Sequence, residues 1–479
     1  MDAQLLGELE KAFGADNILH TPEDLLLYEY DGSVEVARPD CVVFPQNAEQ
    51  VLALVALANR FQVPLVGRGA GTGLSGGALA RTGGILTVFS RMNKILSIDL
   101  ENQRAVVQPG VVNSDLSAAV EHLGLHFAPD PSSQKACTIG GNVSENSGGP
   151  HTLAYGVTTN HVYAMQVVLP TGEMIRIGGA AADAPGYDLT GLFVGSEGTL
   201  GLVTEITVKL TRLPEETKTL LAIYDRVEDA TETVAEITAR GITPAACEML
   251  DGWSLRAIEA DIHAGYPIDS AAVLLIDVDG LREAAAAQSE QVADVCRAHN
   301  AREVRLAKDS RERDLLWKGR KNAFAAVGRL SPSYYVQDGV IPRTKLPATL
   351  RRIEEIGKKY GFEIGNIFHA GDGNLHPIVP FDGRDQEQFR RAVAASDEII
   401  EYCVSAGGTI TGEHGVGMEK DRLMPLMFSE AEMELMKRVR NAFNPVGLLN
   451  PEKIFPSKKG CGEIHSRPAN ATLSEVPGA

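Results

Sequence analysis

Short apolar runs rich in β-branched residues dominate the first 215 or so residues, arranged around one early βαβ unit. Residues 41–67 read strand, helix, strand: CVVF, a helix opening after Asn47 with Gln50 three residues on as its capping partner, then VPLVG. Further runs follow from 85 to 107 (GILTVFS, ILSIDL, RAVVQPG), and a helix is predicted over 113–123, ending at Gly124. More strands are predicted from 162 to 210, with Thr171-Gly172 as a turn. After Pro214 the order changes. LLAIY, a helix near 228–240 ended by Gly241, PAACEML, AAVLLIDVDG, a helix near 281–299 and EVRLA make two βαβ units in tandem, the pattern of a ferredoxin-like α+β domain. One amphipathic helix is expected over 308–328, another over 344–360, and two more over 385–406 and 429–442. Beyond Pro456 the chain is polar and rich in small residues, so a disordered tail is expected over 456–479.

Composition narrows the function classes. At roughly 100 to 200 residues per domain, a chain of 479 residues makes two or three domains. The formal charge of −18 repels phosphate backbones and anionic lipid, which argues against a nucleic-acid partner. A small carboxylate substrate would be repelled too, so a site for one needs its own Arg or metal. The six cysteines show no C-x-x-C spacing, which points to a reducing compartment and to no iron–sulfur cluster held by this chain. MDAQLLGELEKAFG lacks the basic and apolar regions of a signal peptide, and no window reaches about 18 uncharged apolar residues, so no membrane span is expected.

The 48 glycines cluster informatively. GRGAGTGLSGGA at 67–78 follows a strand and contains a G-x-G-x-x-G match at Gly71, Gly73 and Gly76. Only GALARTGG separates Gly76 from the next strand, too little for a dinucleotide-fold crossover helix, and no G-K-[ST] marks a P-loop. Two readings remain: a tight turn without ligand, or a nest of backbone N–H groups around an anion with Arg68 beside it. PDPSSQKACTIGGNVSENSGGP at 129–150 and GSEGTLG at 195–201 add two more small-residue stretches with many hydrogen-bonding side chains. Three such loops imply a large, flat, phosphate-bearing ligand.

HAGDGNLH at 369–376 raises a separate question. If Asp372-Gly373 is a two-residue hairpin loop, His369 faces His376 with Cβ atoms about 4.5 to 5.5 Å apart, close enough to share a metal. The alternative is a polar cross-strand pair on a surface hairpin. GEHG at 412–415 favours the metal, with Glu413 as third ligand, and neighbours on extended backbone point to opposite sides, so His414 has a different task. Two imidazoles and a carboxylate suit Zn²⁺ first, with Mn²⁺ or Fe²⁺ as alternatives.

RGAGTGLSGGA, PDPSSQKACTIGGNVSENSGG and GSEGTLGLVTEITVKL resemble the FAD-binding domain of the vanillyl-alcohol oxidase / p-cresol methylhydroxylase (PCMH) flavoprotein superfamily. HAGDGNLHP, GEHGVGMEK and LLNPEK resemble its D-2-hydroxyacid dehydrogenase branch, and LWKGRKNAFAAVGRLSPSYYVQDGVIPR resembles the FAD-bearing subunits of bacterial glycolate oxidases. The resemblance implies an α+β protein: a PCMH-type FAD-binding domain of two α+β subdomains over 1–214, and a ferredoxin-like cap domain with the metal hairpin over 215–406. A helical segment over 407–455 would complete the active site.

It also implies non-covalent FAD. Arg68, Gly69, Ala70, Gly71, Thr72, Gly73, Leu74 and Ser75 would hold the pyrophosphate. Pro129, Asp130, Ser133, Thr138, Gly141, Asn142, Ser147 and Gly148 would run beside the isoalloxazine, and Glu197, Gly198 and Gly201 would sit near the ribityl or adenosine part. Ile206 and Asn450 would be close to the cofactor. His151 and His161, the nearest histidines, fall outside both flavin-facing loops. His369, His376 and Glu413 become the metal ligands and His414 the base that takes the hydroxyl proton before hydride passes to flavin. Arg320 becomes the substrate-carboxylate partner with Arg343 in reserve, Asn374 another substrate contact, and Phe324 and Val336 apolar residues that favour glycolate or D-lactate. Reoxidation would fall to iron–sulfur and accessory FAD subunits at the inner face of the membrane. The alternative is a D-lactate or D-2-hydroxyglutarate dehydrogenase that works without partner subunits, as a homodimer passing electrons to a cytochrome or quinone. A flavin-binding scaffold without turnover is the least favoured.

Overall fold

The computed structural model describes residues 2–180 and 185–456, so apart from Pro456 the tail expected at 456–479 lies outside the described residues. The first sheet orders its strands Ile18–Leu19, Cys41–Val43, Ile85–Val88, Leu65–Arg68. Cys41–Val43 and Leu65–Arg68 both run parallel to Ile85–Val88, which makes the helix Ala48–Phe61 a βαβ crossover. Asn47 Oδ1 accepts from the Gln50 N–H at 2.9 Å, and Gln50 Oε1 accepts from the Gln46 N–H at 2.7 Å. Val51, Leu54, Val55 and Ala58 form the helix face buried on this sheet, spaced three and four apart as the period requires.

A second sheet of five antiparallel strands, Ile95–Asp99, Arg104–Val107, Leu202–Lys209, Val162–Val168 and Met174–Gly178 in spatial order, packs its own core. Ile206 is fully buried in that core. At about 1.5–3 kcal/mol for a fully buried aliphatic side chain, its role there is packing. The segment 139–145, which reads as loop by its small residues, is helical (Ile139–Glu145), with Thr138 Oγ1 accepting from the Gly141 N–H at 3.3 Å.

The third sheet places Glu303–Leu306 beside Glu216–Tyr224, then Ala272–Gly280, then Ala246–Asp251. In chain order this is 4-1-3-2, all antiparallel, the ferredoxin-like arrangement. Gly365–His369, Asn374–Leu375 and Gly339–Val340 extend it. Ala246–Asp251 is therefore an inner strand, nearly all buried, and its Glu248 pairs in register with His369.

Two local expectations are corrected. The helix expected over 308–328 is two helices, Ser310–Lys321 and Ala323–Val327, because Asn322 leaves helical geometry and donates its Nδ2 to the Lys318 carbonyl at 2.8 Å, competing with the backbone ladder. In the hairpin, His369 pairs with Asn374, not with His376, and residues 370–373 form the loop. Tertiary anchors decide this register: the Gly371 N–H donates to the Cys247 carbonyl at 3.0 Å, and Arg343 Nη1 donates to the Gly371 carbonyl at 2.9 Å. His376 still reaches His369, because the chain turns at once into Pro377–Phe381 and pairs again with Gly365–His369.

The C-terminal segment returns to the first sheet, where the Asn450 N–H donates to the Leu65 carbonyl at 2.7 Å. Among the described residues no helix is long and apolar enough to cross a membrane.

Candidate active site

One cavity of about 420 Å³ runs between the glycine loops and the ferredoxin-like sheet. Arg68, Gly69, Ala70, Gly71, Thr72, Gly73 and Leu74 line it from the end of a strand. Gly71 has φ of +70°, and a Cβ there would overlap the Arg68 guanidinium that folds beneath it. From the second loop Ser133, Thr138, Gly141, Asn142 and Ser147 line the same space, and from the third Glu197, Gly198 and Gly201. Two buried donors, Arg68 Nη1 and Asn142 Nδ2, have no protein partner among the described residues. Free donors on walls of small residues are what a flat, phosphate-bearing cofactor requires, so the residues fit FAD.

Other expected cofactor residues stand behind the wall. Ser75 is fully buried, and its carbonyl accepts from the Met418 and Glu419 N–H groups at 3.0 and 3.2 Å. Pro129 offers its carbonyl to Asn113 Nδ2 at 2.9 Å. The Asp130 carboxylate bridges His151 Nδ1 at 2.9 Å and Lys321 Nζ at 3.1 Å. Gly148 backs onto Glu413, and Ile206 belongs to the sheet core. Asn450 Nδ2 ties two loops together, donating to the Gly77 and Glu197 carbonyls at 3.1 and 2.7 Å. His161 is buried with Nε2 against the Tyr155 carbonyl at 2.8 Å, and His151 stacks on Trp317.

At the far end, His369, His376 and Glu413 converge. Glu413 Oε1 lies 3.1 Å from His369 Nε2 and 3.1 Å from His376 Nε2, and all three side chains are largely buried. The opposite ring nitrogens are held, His369 Nδ1 by Glu248 Oε1 at 2.8 Å and His376 Nδ1 by the Gln337 carbonyl at 3.3 Å. Both Nε2 atoms therefore face the shared point, and the donor set fits a divalent cation. Burial alone would lower the pKa of His369, but Glu248 and Glu413 override it and raise it to about 10, a measure of how strongly the site attracts positive charge. Asp338 also lies near His376 and His414, but its carboxylate is taken up by the Thr411 hydroxyl and by the N–H groups of Gly412, Glu413 and His414.

His414 lines the cavity with its ring parallel to that of His376, centroids 5.0 Å apart, and its Nδ1 has no partner among the described residues. Burial pushes its pKa down to about 4, so the imidazole is neutral and able to accept a proton. Arg320 is fully buried and also lines the cavity. Its Nε and Nη2 meet Glu248 Oε2 at 2.6 and 2.5 Å, while Nη1 carries no hydrogen bond within the described residues. Phe324 and Val336 line the same end, Phe324 edge-on to His376 with centroids 6.2 Å apart. Arg343 and Asn374 do not line the cavity: the first braces the hairpin loop, and the second is buried against Gly412.

Several residues found here were not anticipated. Glu248 orients both Arg320 and His369, but it sits inside an apolar strand whose only signal is one charge among buried neighbours. Glu145, Lys321, Asn322 and Tyr334 also line the cavity. Burial, then the neighbouring Glu197, raises the Glu145 carboxyl well above its usual range.

Comparison with known proteins accords with this layout. A model described as "FAD binding domain" matches residues 39–178, and one described as "FAD linked oxidases, C-terminal domain" matches residues 213–454. The chain is 48% identical over 448 residues to the glycolate oxidase subunit GlcD of Escherichia coli, covering 93% of this chain and 90% of that one. It is 34% identical to a D-lactate dehydrogenase of Anaerostipes hadrus, covering 87% and 90%. Its fold matches that of a crystal structure of p-cresol methylhydroxylase with substrate bound, with a TM-score of 0.79 at 18% identity over 94% of this chain and 95% of that one. The two matched halves, joined by one cavity with a cofactor wall and a histidine–carboxylate end, place the chain in the family of FAD-linked oxidases.

Proposed function

We propose that this chain oxidises a small D-2-hydroxy acid, glycolate or D-lactate, to the 2-oxo acid, as the FAD-bearing subunit of a glycolate oxidase. The observation that carries this reading is the convergence of His369, His376, Glu413, His414 and Arg320 on the cavity that the glycine loops also line. His369, His376 and Glu413 would hold a divalent metal, Zn²⁺ by preference, and when bound this metal would acidify the substrate hydroxyl while non-covalent FAD accepts the hydride. Arg320 pairs through its free Nη1 with the substrate carboxylate, offsetting the −18 field, and Glu248 holds the guanidinium so that little entropy is lost on binding. Neutral His414 takes the hydroxyl proton. Phe324, Tyr334 and Val336 form an apolar wall, and the nearby cation Lys321 is already paired with Asp130, which favours the small acids.

An electron-accepting iron–sulfur subunit and an accessory FAD subunit, gathered at the inner face of the membrane, complete this reading. It is supported by the similarity to a glycolate oxidase subunit and by the metal-ligand groups found among the described residues, which contain no cysteine that could hold a cluster in this chain. The experiment is the visible spectrum of the purified protein under anaerobic conditions, with glycolate and then D-lactate added. Bleaching of the flavin band by either acid is expected, and a flavin band unchanged by both acids in metal-replete protein sinks the reading.

A further inference from the structure

The loop 411–417 carries both Glu413 and His414, and none of its amides from 412 to 417 bonds within a helix or strand. Two carboxylates hold nearly all of them. Asp338 Oδ2 accepts from the N–H groups of Gly412, Glu413 and His414 at 2.9, 3.1 and 2.9 Å, and from Thr411 Oγ1 at 2.5 Å. The Gly415 N–H donates to Thr411 Oγ1 at 3.1 Å. Glu197 then takes the next two, Oε1 from the Val416 N–H and Oε2 from the Gly417 N–H, both at 2.7 Å. Asp338 is fully buried and Glu197 nearly so.

Consecutive N–H groups curled round an anion form a nest, here filled by the protein's own carboxylates. The two come from opposite halves of the molecule. Asp338 lies between the strands Ser333–Val336 and Gly339–Val340, beside the ferredoxin-like sheet, whereas Glu197 lies in the cofactor wall with its own N–H donated to the Ser144 carbonyl at 2.8 Å. A carboxylate accepts with full charge and carries no donor, so an amide oxygen in its place would hold the four donors gathered on Asp338 Oδ2 more weakly. The stretch 412–414 is a series of bends, so the directions of the Glu413 and His414 side chains follow from how their own peptide planes are held.

We infer that Asp338 and Glu197 are positioning residues that clamp the Glu413–His414 loop from the two halves of the molecule, so that base and third ligand are aimed only when the halves are seated together. The catalytic part of this inference rests on the function proposed above, but the clamp itself does not.

Hydrogen–deuterium exchange on the full-length protein with bound flavin, read over peptides spanning 409–420, tests it in Asp338→Asn and Glu197→Gln. Exchange should quicken at least tenfold at 412–414 in the first variant and at 416–417 in the second. Flavin content should stay at the wild-type level in Asp338→Asn, and in both variants kcat per bound flavin should fall on the order of 10–100-fold with a smaller change in KM. Unchanged exchange in both variants overturns the clamp, and quickened exchange with unchanged kcat overturns its positioning role. If either variant does not fold, Thr411→Val, which removes the hydroxyl bridging Asp338 and Gly415, takes its place. Quickened exchange at Gly415 is then expected, and none overturns the proposal. If the wild type turns over no 2-hydroxy acid, the substrate reading fails while the exchange measurement still decides the clamp.

Discussion

The two ends of the cavity are built on opposite principles. At the cofactor end the wall is backbone and small side chains, Gly69 to Gly73, Gly141, Gly198 and Gly201, shaped by positive φ at Gly71 and Gly198 and by the room a missing Cβ leaves. At the other end the wall is buried charge: Glu248 between Arg320 and His369, Glu413 between two imidazoles, and Asp338 under the loop. The first end can accept a large ligand with little rearrangement of side chains. The second holds its charges only because each has a partner, so removing one exposes another at a cost of several kcal/mol. One end is built on shape and the other on charge.

Breaking the reactive end should give the largest effect. His414→Ala removes the proposed base and should lower kcat by about 10²–10⁴-fold while flavin stays bound, read from steady-state rates and flavin absorbance. Turnover at the wild-type rate would remove His414 from the base role.

Damage at the binding end should show first in affinity. Gly71→Ala forces a Cβ onto a residue at φ +70° and into the Arg68 guanidinium, a strain of about 1–2 kcal/mol from the backbone alone. Flavin affinity should fall roughly tenfold or more by that energy, while apo-protein of native secondary structure is still recovered. An equal flavin content in wild type and variant at low flavin concentration would show that this loop does not shape the site.

The smallest effect sharpens the comparison from outside both ends. Burial raises the Glu419 carboxyl to about 7, and burial together with Glu419 raises Glu35 to about 7 as well. Because these folded-state values exceed the ordinary 4.5, the folded protein binds more protons than the unfolded state between pH 4.5 and 7, so these groups cost stability as pH rises through that window. Glu419→Gln should therefore raise the melting temperature by a few degrees at pH 8 and leave it unchanged or lower at pH 5. A variant less stable than wild type at both values would mean that the carboxylate is compensated by Lys420.

Much of this was legible because it is local. The Asn47 cap, the strand–helix alternation after Pro214 and the glycine stretches each depend on residues within a few turns of one another, where side-chain period and backbone sterics leave few options. His369 and His376 were paired through a hairpin register that the structure does not adopt, and they meet because Pro377–Phe381 doubles back on Gly365–His369. Arg343 is close in sequence to the reactive end yet braces the hairpin loop, and Asn374 is packed against Gly412 with its Oδ1 unpaired among the described residues. The two-helix break at Asn322, by contrast, is a local event that an amphipathic pattern does not register, since the apolar stripe continues across it.

The order of residues alone settles where most strands and helices fall, which loops have no Cβ in the way of a cofactor, and which imidazoles and carboxylates are available for chemistry. Three-dimensional packing was needed for Glu248, one charge in an apolar strand, to orient both Arg320 and His369, and for Asp338 and Glu197 to meet on one loop. The reason is physical: an isolated acid in a buried strand is unfavourable until its partner arrives, and those partners lie 72 and 121 residues away from Glu248.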